Sequence, residues 1–406
     1  MIPRRQLPAY SPITGSAFIR GIDAALGGRN DHRAVAADLA TRFGARHVVL
    51  TDSGTSALVL ALRTIVGEGR MVALPAYTCV DVAAAAIRSR VRVRLYDVDP
   101  ETLGPDFDSL GRVLDRGAAA VVVSHLYGLP ADIRRAIDLA SAHGARVIED
   151  AAQGAGATLC GARLGSFGSL SVISFGRGKG ITGGRGGALL ARDPDLAPGL
   201  EPGGRAVRVP AGWRDLALVT SQWLFGRPSL FSIPASVPGL RLGEMVYRPA
   251  RDPGRLSAAA AALVRAALDA ADGEARVRRR NAGILAAAAA DGEGLAQIRT
   301  PSEGMPGYIR FPVRDLRHRS PAPSLGIVRA YPRALSDQEE LRACLESGEE
   351  PLNGSAELAR SLFTLPVHSL VTRHDLDRLQ EWLRSGSMRR RRDGVGSRAR
   401  RLVATR

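Results

Sequence analysis

Ser174-Phe175-Gly176-Arg177-Gly178-Lys179-Gly180-Ile181-Thr182-Gly183-Gly184-Arg185-Gly186-Gly187 holds the single lysine of a 406-residue chain with 56 Lys/Arg side chains. Arginine has taken the positions that need only positive charge. A retained lysine therefore marks a need that guanidinium cannot meet: a primary amine able to lose its proton and attack a carbonyl. The glycines around it argue against a chance surface lysine.

Outward from this stretch, short β-branched runs alternate with longer Ala/Leu-rich segments. Strands are expected at 47–51, 71–74, 91–98, 118–124, 146–149, 171–175 and 188–191, and helices at 32–43, 55–64, 80–88 and 131–143. The alternation predicts an α/β fold with a mainly parallel sheet covered on both faces. Ligands of such sheets gather at the strand C-termini. Asp52-Ser53-Gly54-Thr55, Asp150, Ser174 and Lys179 all fall there.

Four pieces combine at that edge. In Asp52-Ser53-Gly54-Thr55-Ser56-Ala57-Leu58 a strand passes through glycine into a helix, whose free first amides, with the Thr55 and Ser56 hydroxyls, suit a phosphate. By themselves these residues also make an ordinary helix cap. In Val147-Ile148-Glu149-Asp150-Ala151-Ala152-Gln153 an apolar strand ends in a carboxylate. Buried opposite a pyridine nitrogen, Asp150 would keep that nitrogen protonated and make the ring an electron sink; taken alone, it serves equally as a cap. Ser174 adds a hydroxyl ahead of Lys179. Pro75-Ala76-Tyr77-Thr78-Cys79 is a loop able to lie over a ring face.

In this order and spacing, the pieces resemble the sugar aminotransferase family DegT/DnrJ/EryC1/StrS, of pyridoxal-phosphate fold type I. The family's Gly-Thr-x-Ala-Leu loop, His-x-Tyr-Gly segment, Glu-Asp-Ala-Ala-Gln and Ser-Phe-x-x-x-Lys patterns match residues 54–58, 125–128, 149–153 and 174–179. Arg255-Leu256-Ser257 with Ala261-Ala262-Leu263, Tyr331-Pro332 and Leu365-Pro366-Val367-His368 echo later landmarks, so the resemblance runs to about residue 385. It implies pyridoxal 5'-phosphate as cofactor, with Lys179 as the catalytic residue that carries it and shuttles a proton. It implies Asp150 on the pyridine nitrogen, Gln153 on the ring hydroxyl, and Gly54, Thr55, Ser56 and Ser174 around the phosphate. It further implies a homodimer that converts a keto-sugar, nucleotide-linked, to an amino sugar with an amino-acid donor such as glutamate.

The chain also departs from the family. Cys79 stands where an aromatic usually stacks on the ring, so either the thiol or Tyr77 covers it. Pro253 replaces an asparagine that reaches the neighbouring subunit's phosphate. Arg185 replaces an acid between glycines, and Arg333-Ala334-Leu335 follows Tyr-Pro in place of Pro-Leu-His. These mark a divergent member. Two alternatives stay open: elimination on a sugar, and a non-catalytic regulatory role. The family's dehydratase branch has histidine in place of the Schiff-base lysine, so Lys179 favours amino transfer.

Composition bounds the remaining classes. Three widely spaced cysteines with no CxxC pair exclude a disulfide framework or a zinc site and fit a reducing compartment, the cytoplasm. No apolar run reaches the ~18 residues of a membrane span. Of the net charge of +16, the segment 387–406 contributes +7, from eight arginines and one aspartate. Its Gly/Ser/Arg composition is that of a disordered tail. Nothing in the rest points to nucleic acid. The expected division is a cofactor domain over 1–250, a smaller α+β domain over 251–386 and the tail. A Pro/Gly-rich, apolar segment at 194–254 reads as an insertion packed at a subunit contact, with a peripheral membrane or lipid contact as the lesser alternative. A helix from 255 towards 269 and a second, basic one through 278–281 are expected beyond it.

Overall fold

The computed structural model describes residues 4–200, 209–237, 246–317, 319–346 and 351–385. The basic segment 387–406 and parts of 194–254 lie outside the described residues. Two helices precede the sheet: α1 (Gly15–Ala25) and α2 (His32–Phe43). Gly44 stops α2 in the left-handed conformation, φ 61°, which costs glycine nothing.

The large lobe then alternates as the sequence predicts: β1 (His47–Thr51), α3 (Gly54–Ile65), β2 (Met71–Pro75), α4 (Val80–Ser89), β3 (Arg92–Tyr96), α5 (Phe107–Leu114), β4 (Ala120–Ser124), α6 (Ile133–Ala142) and β5 (Arg146–Asp150). A small hairpin, β6 (Thr158–Leu159) and β7 (Ala162–Arg163), leads to β8 (Leu170–Ser174) and β9 (Gly187–Ala191). The seven-stranded sheet runs β1-β9-β8-β5-β4-β2-β3. Strand β9 alone is antiparallel to its neighbours β1 and β8.

Strands β2, β4 and β9 are buried along their whole length. Helices therefore cover both faces, as the near-continuous apolar runs require. Val121 and Val123 pack with α2, α5 and α6, while Val122 between them packs with α3 and α4. The pleat thus feeds alternate side chains to two separate cores.

Within the insertion, α7 (Trp213–Phe225) and the short α8 (Ser232–Ala235) are described. Leu216 and Val219 of α7 are buried against α1 and against Ala259 and Leu263 farther along the chain. Gly21 permits the approach, since a Cβ there would lie 2.8 Å from Leu216 Cδ2.

The two helices expected beyond residue 255 are one. α9 (Ala258–Ala290) is continuous over 33 residues, capped by Ser257. Gly273 does not break it because Ala271, Ala275 and Arg278 are buried on either side of it, and that packing outweighs about 1 kcal/mol of glycine cost. At about 50 Å, α9 spans both lobes. Its first turns pack with α1 and α7, and Ala282, Leu285 and Ala289 pack into the small lobe. There β10 (Leu295–Gln297), β12 (Phe311–Asp315), β13 (Val328–Arg329) and β14 (Leu362–Leu365) form an antiparallel sheet, with α10 (Asn353–Ser361) and α11 (Arg373–Arg384) alongside. The two-residue β11 (Gly304–Met305) pairs back onto β6.

Candidate active site

The C-terminal ends of β1, β2, β5 and β8 and the start of β9 surround one cavity of about 250 Å³. At the end of β1, Ser53 caps α3, its Oγ accepting from Ser56 N at 3.0 Å. The first helical amides, Gly54 and Thr55, have no carbonyl four residues back to bond. Both residues line the cavity beside Ser174. Close approach explains the glycines here. A Cβ on Gly54 would lie 2.9 Å from Ser174 Cβ, and one on Gly187 would lie 2.6 Å from Gly54 N.

Asp150 ends β5 and is half-buried, with the cavity on its open side. Its Oδ1 accepts from Ala152 N at 3.1 Å and its Oδ2 from Ser124 Oγ at 3.2 Å. Thr78 in turn donates to Ser124 Oγ at 3.3 Å. Burial raises the Asp150 pKa; Lys179, the Ala152 amide and the Ser124 hydroxyl pull it back. Lys179 lines the same cavity and makes no side-chain hydrogen bond among the described residues. Its positive charge is felt by both Asp150 and Cys79.

Behind Asp150, Glu149 is fully buried. It accepts from His125 Nε2 at 3.1 Å, from the amides of Phe167 and Gly168 at 2.8 and 3.0 Å, and from Ser171 Oγ at 2.8 Å. His125 Nδ1 accepts from Ala131 N, so Nε2 is the nitrogen that donates. This network fixes β4, β5 and the loop before β8 relative to one another.

The structure brings Gly54, Thr55, Cys79, Asp150, Gln153, Ser174 and Lys179 onto one wall system. Ser56 is off it: its hydroxyl donates to Asp52 Oδ1 at 2.6 Å and its side chain is buried. Gln153 borders the cavity, but its amide is engaged. Oε1 accepts from Tyr127 N at 3.1 Å, and Nε2 donates to Tyr331 Oη at 2.8 Å. That bond ties the small lobe to the site. Tyr77 is wholly buried, its Oη accepting from Tyr331 N at 3.0 Å, whereas Cys79 is the member of that loop on the cavity wall. Burial, with Asp81 adding and Lys179 opposing, pushes the Cys79 thiol up to about 12. A raised pKa favours the neutral, polarisable thiol at this wall.

Ser124 escaped the sequence reading, while Ser53, Arg177 and Tyr331 were read there as parts of motifs without a role of their own. Ser124 carried a signal, since it is the polar end of the otherwise apolar strand Ala120-Val121-Val122-Val123-Ser124.

Residues 25–201 match the sequence model of the DegT/DnrJ/EryC1/StrS aminotransferase family, a span that contains every cavity residue named above. Over this segment the chain is similar to that family. The chain is 35% identical over 206 residues to an L-glutamine:2-deoxy-scyllo-inosose aminotransferase of Streptomyces kanamyceticus, covering 49% of this chain and 48% of that protein. It is 37% identical over 169 residues to a UDP-N-acetyl-3-dehydro-alpha-D-glucosamine 3-aminotransferase of Acidithiobacillus ferrooxidans, covering 41% and 46%. The chain thus spans about half the length of the curated relatives it matches. A solved sugar aminotransferase from Micromonospora echinospora superposes over 95% of this chain and 100% of its own, with TM-score 0.69 and 25% identity. The fold is that of the fold type I pyridoxal-phosphate enzymes, mainly parallel sheet and smaller C-terminal lobe included.

Proposed function

We propose that the protein is a pyridoxal-phosphate-dependent aminotransferase that converts a keto-sugar to an amino sugar with an amino-acid donor such as glutamate. The observation that carries this reading is the pairing of the sole lysine with Asp150 across a cavity bordered by the start of α3. The walls fit the cofactor. A phosphate would take the unpaired Gly54 and Thr55 amides with the Thr55 and Ser174 hydroxyls. A pyridinium nitrogen would satisfy the open side of Asp150, and the neutral Cys79 thiol offers an uncharged ring contact. Bound there, the cofactor would supply a carbonyl for an amine and a ring that draws electrons from a neighbouring carbon.

The chain's own residues do the remaining work. Asp150, oriented by Ser124 Oγ and Ala152 N, would hold a proton on a ring nitrogen of the bound cofactor. Lys179 Nζ, free of hydrogen bonds among the described residues, would hold the cofactor and is the amine placed to move a proton to and from a substrate carbon. Gln153, held by Tyr127 and Tyr331, sets the edge of the ring position.

The relatives named above act on a cyclitol ketone and on a nucleotide-linked keto-sugar by their names, which supports the ketone as the reacting group. The reading includes a homodimer at work in the cytoplasm, the reducing location being the one that three free cysteines suit, and a division near residue 250 between a cofactor lobe and a smaller lobe.

Borohydride treatment of the cofactor-loaded protein followed by peptide mapping should leave the phosphopyridoxyl group on Lys179, and Lys179→Ala should lose it. Incubation with a keto-sugar and isotope-labelled glutamate should move label to the sugar. Loss of a sugar hydroxyl without label transfer would convert the assignment to elimination. A protein that takes up no cofactor would leave only a regulatory role.

A further inference from the structure

The loop that carries Lys179 runs from the end of β8 to the start of β9 with no helix or strand of its own. Its backbone turns at Gly178 and Gly180, the two neighbours of the lysine, both in the left-handed region at φ 72° and 85°. Glycine enters and leaves these angles freely, so the loop's own sequence does not hold the lysine in one direction. What holds it comes from the far N-terminal end of the chain. A Cβ on Gly178 would lie 3.2 Å from the Ala9 Cβ, and the Gly180 amide donates to Ser11 Oγ at 3.1 Å. Ser11 is buried. Ala155, Ile309 and Arg278 close the other sides of Gly180, at 2.7, 3.1 and 3.3 Å from where its Cβ would be.

The arm ahead of Ser11 is fastened to other parts of the molecule. Arg4 pairs with Asp375 of α11, and the Arg5 amide donates to Pro228 O of the insertion at 2.9 Å. Gln6 N donates to Ser324 O at 2.9 Å, and Gln6 Nε2 to Asp375 Oδ2 at 3.0 Å. The fully buried His368 donates from Nε2 to Leu7 O at 2.9 Å, and its ring lies 5.7 Å from that of Tyr10. The arm thus ties the small lobe at one end to the lysine loop at the other. Among the described residues that line the cavity, none comes from the arm, so it can act on the chemistry only through the loop. A buried amide is costly to leave without an acceptor. The loop therefore keeps the conformation in which Gly180 N meets Ser11.

We propose that Ser11 is a positioning residue for Lys179: its hydroxyl holds the Gly180 amide while Ala9 covers Gly178, and together they fix the backbone from which Nζ reaches the cavity. This rests on the aminotransferase reading above for what the amine then does. It adds that the N-terminal arm, anchored on the small lobe, belongs to the machinery that aims the lysine.

Ser11→Ala in the full chain tests this. In the cofactor-free protein, hydrogen exchange read by mass spectrometry should quicken in a peptide over 176–183, with the rest of the large lobe unchanged and the melting temperature within a few degrees. On mixing with pyridoxal 5'-phosphate, the absorbance change that reports the cofactor joining the sole lysine should slow roughly five- to tenfold, the worth of one hydrogen bond. In the loaded enzyme kcat should fall by a similar factor with little change in KM. Unchanged exchange over 176–183 overturns the proposal. Faster exchange across the whole large lobe with a lowered melting temperature does so too, because Ser11 would then be a packing residue. A raised KM with kcat kept would give Ser11 to substrate binding and overturn it equally. A wild type that takes no cofactor at Lys179 fails the proposed function; one that takes it, with cofactor capture and kcat untouched in Ser11→Ala, fails this inference alone.

Discussion

Gly54 and Ser174 stand so close that a methyl group on Gly54 would lie 2.9 Å from the Ser174 Cβ and 3.1 Å from its Oγ. Two strand ends separated by β9 are thereby joined into one cradle, with helix amides on one side and a hydroxyl on the other. Gly54 is helical, so alanine suits its backbone and the only penalty is the displacement of Ser174. Gly54→Ala should keep its melting temperature within a few degrees and lose cofactor affinity by roughly tenfold or more, the worth of one hydrogen bond to a charged group. Equilibrium dialysis against pyridoxal 5'-phosphate measures it. Unchanged affinity would move the phosphate away from the α3 terminus.

Asp150→Asn should retain the cofactor and lose most of its turnover, because an amide cannot hold the ring proton that Asp150 is placed to hold. Loss of that charged hydrogen bond is worth roughly 1.5–3 kcal/mol, so kcat should fall at least tenfold with little change in KM. Ser124→Ala should move in the same direction by less, since it removes one of the two donors that orient the carboxylate. Equal kcat in wild type and Asp150→Asn would remove the aspartate from the chemistry.

Glu149 supplies a pH prediction. Burial alone would raise its pKa, but the hydrogen bond and charge of His125 and the amides of Gly168 and Gly165 prevail and hold it at about 2. The folded value lies below the unfolded one of about 4.3. Its stabilisation is therefore fully present above that unfolded value and is lost as pH falls towards 2. Glu149→Gln should destabilise the fold by about 3–5 kcal/mol at neutral pH, as breaking a buried charged pair does. The variant should also lose less further stability than wild type between pH 4.5 and 2. Denaturant midpoints across that range decide the matter. Parallel acid profiles would mean that Glu149 is not ionised in the native state.

The parts legible in the sequence share a physical character: each is set by local pattern. The buried strands stand out because both faces are covered, and Lys179 stands out because every other long basic side chain is arginine. What stayed hidden depends on contacts between distant segments. Whether α9 breaks at Gly273 is decided by the lobes packed on either side of it. Ile309 meets Gly180 of the lysine loop from a distant part of the chain, and Gln153 meets Tyr331 across the lobe boundary. Ser56 and Thr55 look equivalent as hydroxyls at a helix start, but Asp52 and Ser53 take the first and leave the second at the cavity.

The outer face of α1 and α7 carries the last prediction. Ile19, Ile22 and Leu26 form one exposed stripe on α1, and Trp223 and Leu224 are exposed on α7. The Phe18 ring meets Trp223 edge-on at 5.7 Å, and Arg227 stacks over Trp223 at 4.8 Å, which joins the two helices into a single apolar surface. Phe225 and Phe231, by contrast, are half-buried within the protomer. If a second copy of the chain covers this face, charges placed on it should cost the protomer little and break the assembly through buried, unpaired charge. Ile22→Glu with Leu224→Glu should convert a dimer to a monomer in sedimentation velocity while borohydride still fixes the cofactor to Lys179. Turnover should fall if the face also borders the mouth of the site. An unchanged dimer would place the interface elsewhere. Loss of vesicle binding as the only defect would assign the face to a lipid surface instead.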